Sequence, residues 1–254
     1  MPPRVETVAS FAKGLEVIRS FGPDARRQTI TDVSLRTGLT RAGARRLLLT
    51  LVEAGYARSD GKHFELTARV LALGETYASG LGELDGVRDV LCGLTADLGG
   101  SASAGLLDGA DLVRIARSHG RRRASGEVLA VGARIPAPAT AMGLALLADL
   151  APGEADRRLR HLRRDAPPPI GAGREALALG LAEIRERGFA LVGEGGEAGV
   201  RTLAVVVPGP SAIGRLAIDL VLPTDRLDLD TTMRDRLPRL RRAAADIAAL
   251  DTED

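Results

Sequence analysis

Residues 30–67, ITDVSLRTGLTRAGARRLLLTLVEAGYARSDGKHFELT, most constrain what this chain can fold into. Two helix-forming runs meet at Gly38, a residue suited to the left-handed turn that ends one helix and redirects the chain into the next. In the second run Ala44, Leu47, Leu48 and Leu51 recur at helical spacing, which makes one inward stripe. Arg41, Arg45 and Arg46 lie outside that stripe. After Gly55, residues 56–58 and 63–66 alternate around Asp60-Gly61, the pattern of a tight hairpin. Helix, turn, basic helix and hairpin together outline a winged helix-turn-helix, whose second helix enters the major groove of duplex DNA.

Upstream, residues 8–20 read as a helix with Phe11, Leu15, Ile18 and, one turn on, Phe21 as its apolar row; Gly22-Pro23 stops it. Thr31 is the expected cap of the second helix, with Val33 inward, and Thr40 the cap of the third. Residues 67–80 are helical again, and Val70, Leu71, Leu73 and Tyr77 offer a surface for the first domain or a partner subunit. A glycine-rich stretch at 80–86 marks a boundary. The expected organisation is a DNA-binding head over 1–66, a linker helix and hinge over 67–86, and a second domain over 87–254. Each domain is long enough to bury a core of its own.

The second domain mixes element types. A helix is expected over 87–98, strands over 101–107 and 111–118 joined at Asp108-Gly109, and a third strand over 129–131 before a loop, GARIPAPAT. Helices follow over 141–148 and 154–164, then a Pro-rich surface loop, an amphipathic helix over 174–188, strands over 189–192, 202–207 and 215–222, and a last helix over 233–250. Intermixed helices and antiparallel-looking strands make the fold class α+β.

Composition narrows the function. With 45% hydrophobic and 27% charged residues the chain is a globular protein. It has no apolar run long enough to span a bilayer and no apolar leader, so the expected location is the cytoplasm, with no membrane partner. The formal charge of +2 says little, but its clustering near the third helix and the hairpin is the footprint of a DNA reader. A single cysteine, Cys92, excludes an intramolecular disulfide; on an apolar helix face it reads as a small buried residue. His63, His119 and His161 share no ligand spacing, so neither a metal nor another cofactor is expected. Glu194 and Glu197 in GEGGEAG could be a general acid and base, but a sugar-binding surface would be aromatic, and aromatic residues are only 2% of the chain. Gly193, Gly195 and Ala198 satisfy GxGxxA, yet a strand follows where a dinucleotide site needs a helix. RSHGRRR, 117–123, reads as a solvated loop from which Arg117 or Arg121 could reach a pocket mouth.

Four segments in order, TGLTRAGARRLLLTLVEAGYARSDGKHFELTARVLALGETY, LLDGADLVRIAR, VGARIPAPATAMGLALLADL and GVRTLAVVV, resemble the IclR family of bacterial transcription regulators. They are similar in particular to its protocatechuate and β-ketoadipate subgroup. The resemblance covers nearly the whole chain. It implies a winged helix-turn-helix, a linker helix and a GAF-like domain that binds a small effector, in a dimer or tetramer on a double-stranded operator. No catalysis is implied.

The candidate residues follow from both readings. Thr40, Arg41, Arg45 and Arg46 sit where a recognition helix meets DNA: Arg can pair with guanine O6 and N7, Thr with a phosphate. The same arginines would also suit a solvated helix face. Arg58 and Lys62 at the wing are expected phosphate contacts. The resemblance places the effector loop at VGARIPAPATAMG, shaped by Gly132 and Pro136, with backbone N–H groups near Ala141 and Met142 able to receive a carboxylate. Pro138 and Leu144 depart from the family pattern there. Glu194, Thr202, Asp219 and Val221 complete the expected pocket. Asp219, on the apolar strand GRLAIDLVL, must face solvent, pair with a cation such as Arg201, or meet a donor on the ligand. The effector class implied is an organic or aromatic acid from a catabolic pathway; the alternative is the same fold as a constitutive DNA-binder.

Overall fold

The computed structural model describes residues 7–79, 83–119, 131–151, 153–160, 174–193, 200–209, 214–223, 230 and 232–250. The chain divides into two compact units, 1–80 and 81–254.

In the first unit α1 (Ala9–Arg19), α2 (Ile30–Thr37) and α3 (Arg41–Glu53) pack beside a three-stranded antiparallel sheet of β1 (Gln28–Thr29), β3 (His63–Leu66) and β2 (Ala57–Ser59), in that order. A short helix, α4 (Leu71–Ser79), follows. Gly38 ends α2 at φ 68°, the left-handed geometry that makes the sharp turn into α3. The cap of α2 is Thr29, not Thr31: its hydroxyl accepts the Asp32 N–H while the Asp32 carboxylate accepts the Thr29 N–H, a reciprocal capping box. That pairing starts the helix one residue before Thr31. Val17, Val33, Ala44, Leu48, Leu51, Ala57 and Phe64 form the core.

The apolar row of α1 is only partly covered. Phe11 and Leu15 are 69% and 43% exposed, whereas Val17 is fully buried and Ile18 and Phe21 pack at the edge of the core. Helical geometry explains this: 14, 17, 18 and 21 share one face, and the bare Gly14 lets α1 approach Leu47 of α3. Residues 8, 11 and 15 lie roughly a quarter-turn round the helix. Leu71 and Leu73 of α4 are exposed as well.

The second unit has a six-stranded antiparallel sheet between two helical layers. Its strands are β4 (Ser101–Asp108), β5 (Asp111–His119), β6 (Arg134–Pro136), β7 (Ala190–Val192), β8 (Val200–Val206) and β9 (Leu216–Pro223), in spatial order β6-β5-β4-β9-β8-β7. One face packs on α5 (Glu83–Leu98) and α9 (Leu237–Leu250) through Leu91, Ile115, Leu203, Ile218, Leu220 and Leu240. The other packs on α6 (Ala141–Asp149) and α8 (Arg174–Arg187) through Leu112, Leu147, Leu177, Leu181, Ala204 and Ala217; α7 (Glu154–Leu159) lies between them in sequence. The third strand lies later than expected. It is Arg134–Pro136, inside the segment read as a loop, whereas Val131 sits in a turn and 129–130 fall outside the described residues. Arg134 holds it there by ion pairs to Asp108 and Asp111 at the β4–β5 turn, which hydrophobic pattern alone does not register.

Candidate functional site

Thr40 terminates the turn and starts the basic helix α3. Its Oγ accepts the Gly43 N–H at 3.1 Å, so the hydroxyl proton is still available to donate to a phosphate. Arg41, Arg45 and Arg46 are all exposed on α3: Arg46 lies opposite the buried Ala44, Leu48 and Leu51, and Arg41 and Arg45, one turn apart, border that stripe. Five N–H donors on each guanidinium suit either a guanine edge or a pair of phosphate oxygens.

The wing differs from a bare basic tip. Arg58 Nε and Nη2 both bond Glu65 Oε2, at 3.1 and 2.6 Å, and Arg27 bonds Asp60 and lies 3.6 Å from Glu65. Asp60 also accepts the N–H groups of Lys62 and His63, which together with Gly61 at φ 96° sets the turn. Those N–H donors first, then Arg27, hold the Asp60 carboxyl well below the usual carboxylate range; the Arg58 hydrogen bonds lower that of Glu65. Lys62 is left exposed at the tip. Arg27 was not among the expected residues. It reaches the wing because β1 pairs with β3, Gln28 opposite Phe64, and a two-residue strand leaves almost no pattern to read.

In the second unit a polar patch lies on the sheet face that α6 and α8 cover. On β9, Leu216, Ile218 and Leu220 point to the α5–α9 core and Ala217 to the α6–α8 core. Strand alternation therefore puts Asp219 and Val221 on the α6–α8 side. Opposite Asp219 stand Ser103 on β4 and Ala204 on β8; opposite Val221 stand Ser101 and Thr202. On β5 the register slips between Ala104 and Gly105 of its partner, and Ile115 and Ala116 both enter the α5–α9 core. The bulge re-aims the strand so that Arg114, opposite Gly105, and Arg117, opposite Ser103, share one face, which simple alternation would forbid.

Asp219 is 4% exposed and Ser103 is 2% exposed. Burial raises the Asp219 carboxyl to about 6, against the pull of Arg114, of hydrogen bonding with Ser103, and of Arg117. Its Oδ1 is buried without a hydrogen-bond partner among the described residues. The choice left open by the sequence is thus narrowed. Asp219 does not face solvent, and the cations beside it are on β5. Arg201 pairs with Leu222, whose side chain belongs to the α5–α9 core, so alternation sends Arg201 to the face opposite Asp219.

The remaining expected residues distribute unevenly. Thr202, Asp219 and Val221 come together on adjacent strands. Gly132, at φ 84°, forms a turn whose N–H bonds the Arg114 carbonyl at 2.8 Å, tying the loop to the patch. Pro136 ends β6, half-buried. Ala141 and Met142 open α6 with their side chains buried in the α6–α8 core, and Thr140 rather than a ligand takes the Gly143 N–H, at 2.9 Å. Pro138 and Leu144 are buried too. Glu194, Glu197 and Arg121 lie outside the described residues. Cys92 is exposed rather than buried, and Ser118 donates to its Sγ. Ser101, Ser103 and Arg114 were not foreseen. The serines had a signal in the alternation SASAG; Arg114 had none, because the bulge decides its face. Among the described residues no helix is long and apolar enough to cross a membrane.

Comparison with known proteins bears on both units. Residues 10–61 match the IclR helix-turn-helix domain, and residues 84–249 match the bacterial transcriptional regulator IclR C-terminal domain. The Pca operon regulatory protein of Acinetobacter baylyi is 35% identical over 246 residues, which cover 94% of this chain and 88% of that protein. A transcriptional regulator from Rhodococcus sp. RHA1, known from a crystal structure, is 37% identical with a TM-score of 0.80, covering 97% of this chain and 99% of that one. The inducer-binding domain of the PobR transcription factor from Acinetobacter, solved as a double mutant in complex with 3-hydroxybenzoic acid, is 26% identical with a TM-score of 0.57, covering 66% of this chain and 98% of that one.

Proposed function

The chain belongs to the IclR family of bacterial transcriptional regulators, and we propose that a small aromatic or other organic acid controls its occupancy of an operator. The observation that carries this reading is the patch of buried Arg114, Ser103 and Asp219 with half-buried Arg117, a set of polar groups on the sheet face that α6 and α8 cover. A relative's inducer-binding domain of the same family fold holds a hydroxybenzoic acid. Guanidinium groups suit a carboxylate, and Thr202 and Val221 extend the surface beside them.

On the DNA side, Arg41, Arg45 and Arg46 engage the major groove with Thr40 fixing the backbone register, and Lys62 and Arg58 reach flanking phosphates. Two heads of a dimer would read half-sites about one helical turn apart or a multiple of it. An effector acts by population shift: it binds one arrangement of the protein better than the other and so changes the affinity for DNA by the same factor that DNA changes the affinity for effector.

The test is fluorescence anisotropy on the promoter DNA adjoining the gene, with and without benzoate, 4-hydroxybenzoate and 3,4-dihydroxybenzoate. Supporting results are sequence-specific binding and a change in apparent affinity of at least several-fold with one of the acids. Specific binding that ignores every acid supports a constitutive regulator instead, and binding indifferent to sequence removes the operator reading.

A further inference from the structure

The polar patch holds one feature that an acid-binding site does not require. Two arginines beside a sheet would suffice to receive a carboxylate. Here a buried carboxylate on β9 shares their face, across Ser103 of β4 from the β5 strand that carries both arginines, on the side covered by α6. Burying a carboxylate is costly, and Asp219 is not compensated as a structural ion pair normally is. Its surroundings leave the group harder to ionise than in water even with Arg114 and Arg117 acting on it, and one of its two oxygens has no hydrogen-bond partner among the described residues. A Ser, Thr or Asn at that position would satisfy Ser103 without this penalty. An acceptor buried from solvent, with nothing from the described protein donating to it, is arranged for a donor that arrives from outside.

We infer that Asp219 is a specificity-determining residue of the effector site: its buried Oδ1 accepts a hydrogen bond from a hydroxyl or amino group of the ligand, while the Arg114–Arg117 side of the patch receives the acid group. The inference rests on the effector reading above and makes it narrower. The ligand is an acid that also carries a donor, and the bare acid is the wrong ligand. Discrimination arises because a ligand lacking the donor leaves the buried acceptor unsatisfied, which binding then has to bear. A hydrogen bond to a charged acceptor corresponds to roughly ten- to a hundredfold in affinity.

The experiment is calorimetric titration of the full-length protein with matched probes: benzoate, 3-hydroxybenzoate, 4-hydroxybenzoate, 3-aminobenzoate and 4-aminobenzoate. The wild type is expected to bind at least one hydroxy or amino probe about tenfold or more tightly than benzoate. Asp219→Ala is expected to bring that ratio to within about threefold, chiefly by losing affinity for the donor probe while benzoate binding holds or improves. Asp219→Asn keeps the shape, guards against misfolding of the alanine variant, and should lower the ratio in the same direction. Unchanged discrimination in both folded variants overturns the inference, as does a wild type that binds benzoate as tightly as every donor-bearing probe. Both results leave the effector reading intact. Binding of none of the five probes to the wild type instead removes the aromatic-acid reading and this inference with it.

Discussion

Replacing Gly143 with alanine tests how the α6 layer is seated on the polar face. Gly143 occupies the first turn of α6, where its N–H bonds the capping oxygen of Thr140 at 2.9 Å. A Cβ built there would lie 2.1 Å from the Ala137 carbonyl oxygen and 2.6 Å from its carbon, both backbone atoms. Restoring a normal separation of about 3.5 Å requires the Ala137 backbone to retreat by more than 1 Å. That backbone is anchored by its own N–H to the Ala110 carbonyl at 2.9 Å, and Ala137 is fully buried, so retreat breaks a hydrogen bond or opens the core. Overpacking of this kind costs about 1–3 kcal/mol, against a helix-propensity gain of about 1 kcal/mol for removing a glycine. The net expectation is a loss of up to about 2 kcal/mol. Gly180, inside α8 with nothing within 4 Å of its would-be Cβ, is the matched control. Gly180→Ala should stabilise by up to about 1 kcal/mol. Urea unfolding followed by circular dichroism measures both, and the 136–143 loop should also bind effector more weakly in Gly143→Ala. Equal stability of the two variants, or stabilisation by Gly143→Ala, would refute the reasoning.

Other expectations concern single residues. Asp219 ionises near pH 6 in the fold and near 3.8 in the unfolded chain, so the folded state retains an extra proton between those values and stability falls as pH rises through that window. Asp219→Asn should therefore raise stability at pH 8 by an amount on the order of 2–3 kcal/mol and leave it unchanged at pH 4; a gain equal at both pH values in thermal melts would contradict this. Arg45→Ala should weaken operator binding, and the salt dependence discriminates its role: a slope smaller by about one ion indicates a phosphate contact, and loss of preference at one base pair indicates base readout. Glu65→Gln releases Arg58 from its carboxylate partner, so binding to non-specific duplex in filter-retention assays should tighten by a few-fold. No change would show that the pair already opens on DNA. Thr29→Ala removes one arm of the capping box and should cost about 1 kcal/mol in the first unit, measured by thermal unfolding.

The two units differ in how much of them can be read without coordinates. In the first, the turn at Gly38, the cap at Thr40, the inward stripe of α3 and the hairpin at Asp60-Gly61 each rest on residues within four positions of one another, and all stand in the structure as read. Thr29 caps α2 in place of Thr31 because the capping box depends on one carboxylate turning back, and the apolar row at 11, 15 and 18 is only partly covered, since periodicity marks an apolar face without saying what packs on it. Pairing at the wing joins Arg27 to Asp60, residues 33 positions apart. No local pattern carries that.

In the second unit the sequence determined most element types, though not the strand at Arg134–Pro136, and the mixed fold class, because alternation and helical period are local properties of the chain. It also singled out Asp219 as out of place on its strand. It could not say what Asp219 faces. That was decided by tertiary structure: antiparallel pairing sets Ser103 opposite Asp219, and a one-residue bulge in β5 turns Arg114 and Arg117 to the same side. Since side chains alternate with a period of two, a single inserted residue exchanges the faces of everything beyond it, and only the partner strand reveals where that happened. Residues 30–67 told, unaided, that this chain binds DNA. Which charges meet in the domain that controls it depends on register, and register belongs to pairs of strands rather than to either sequence alone.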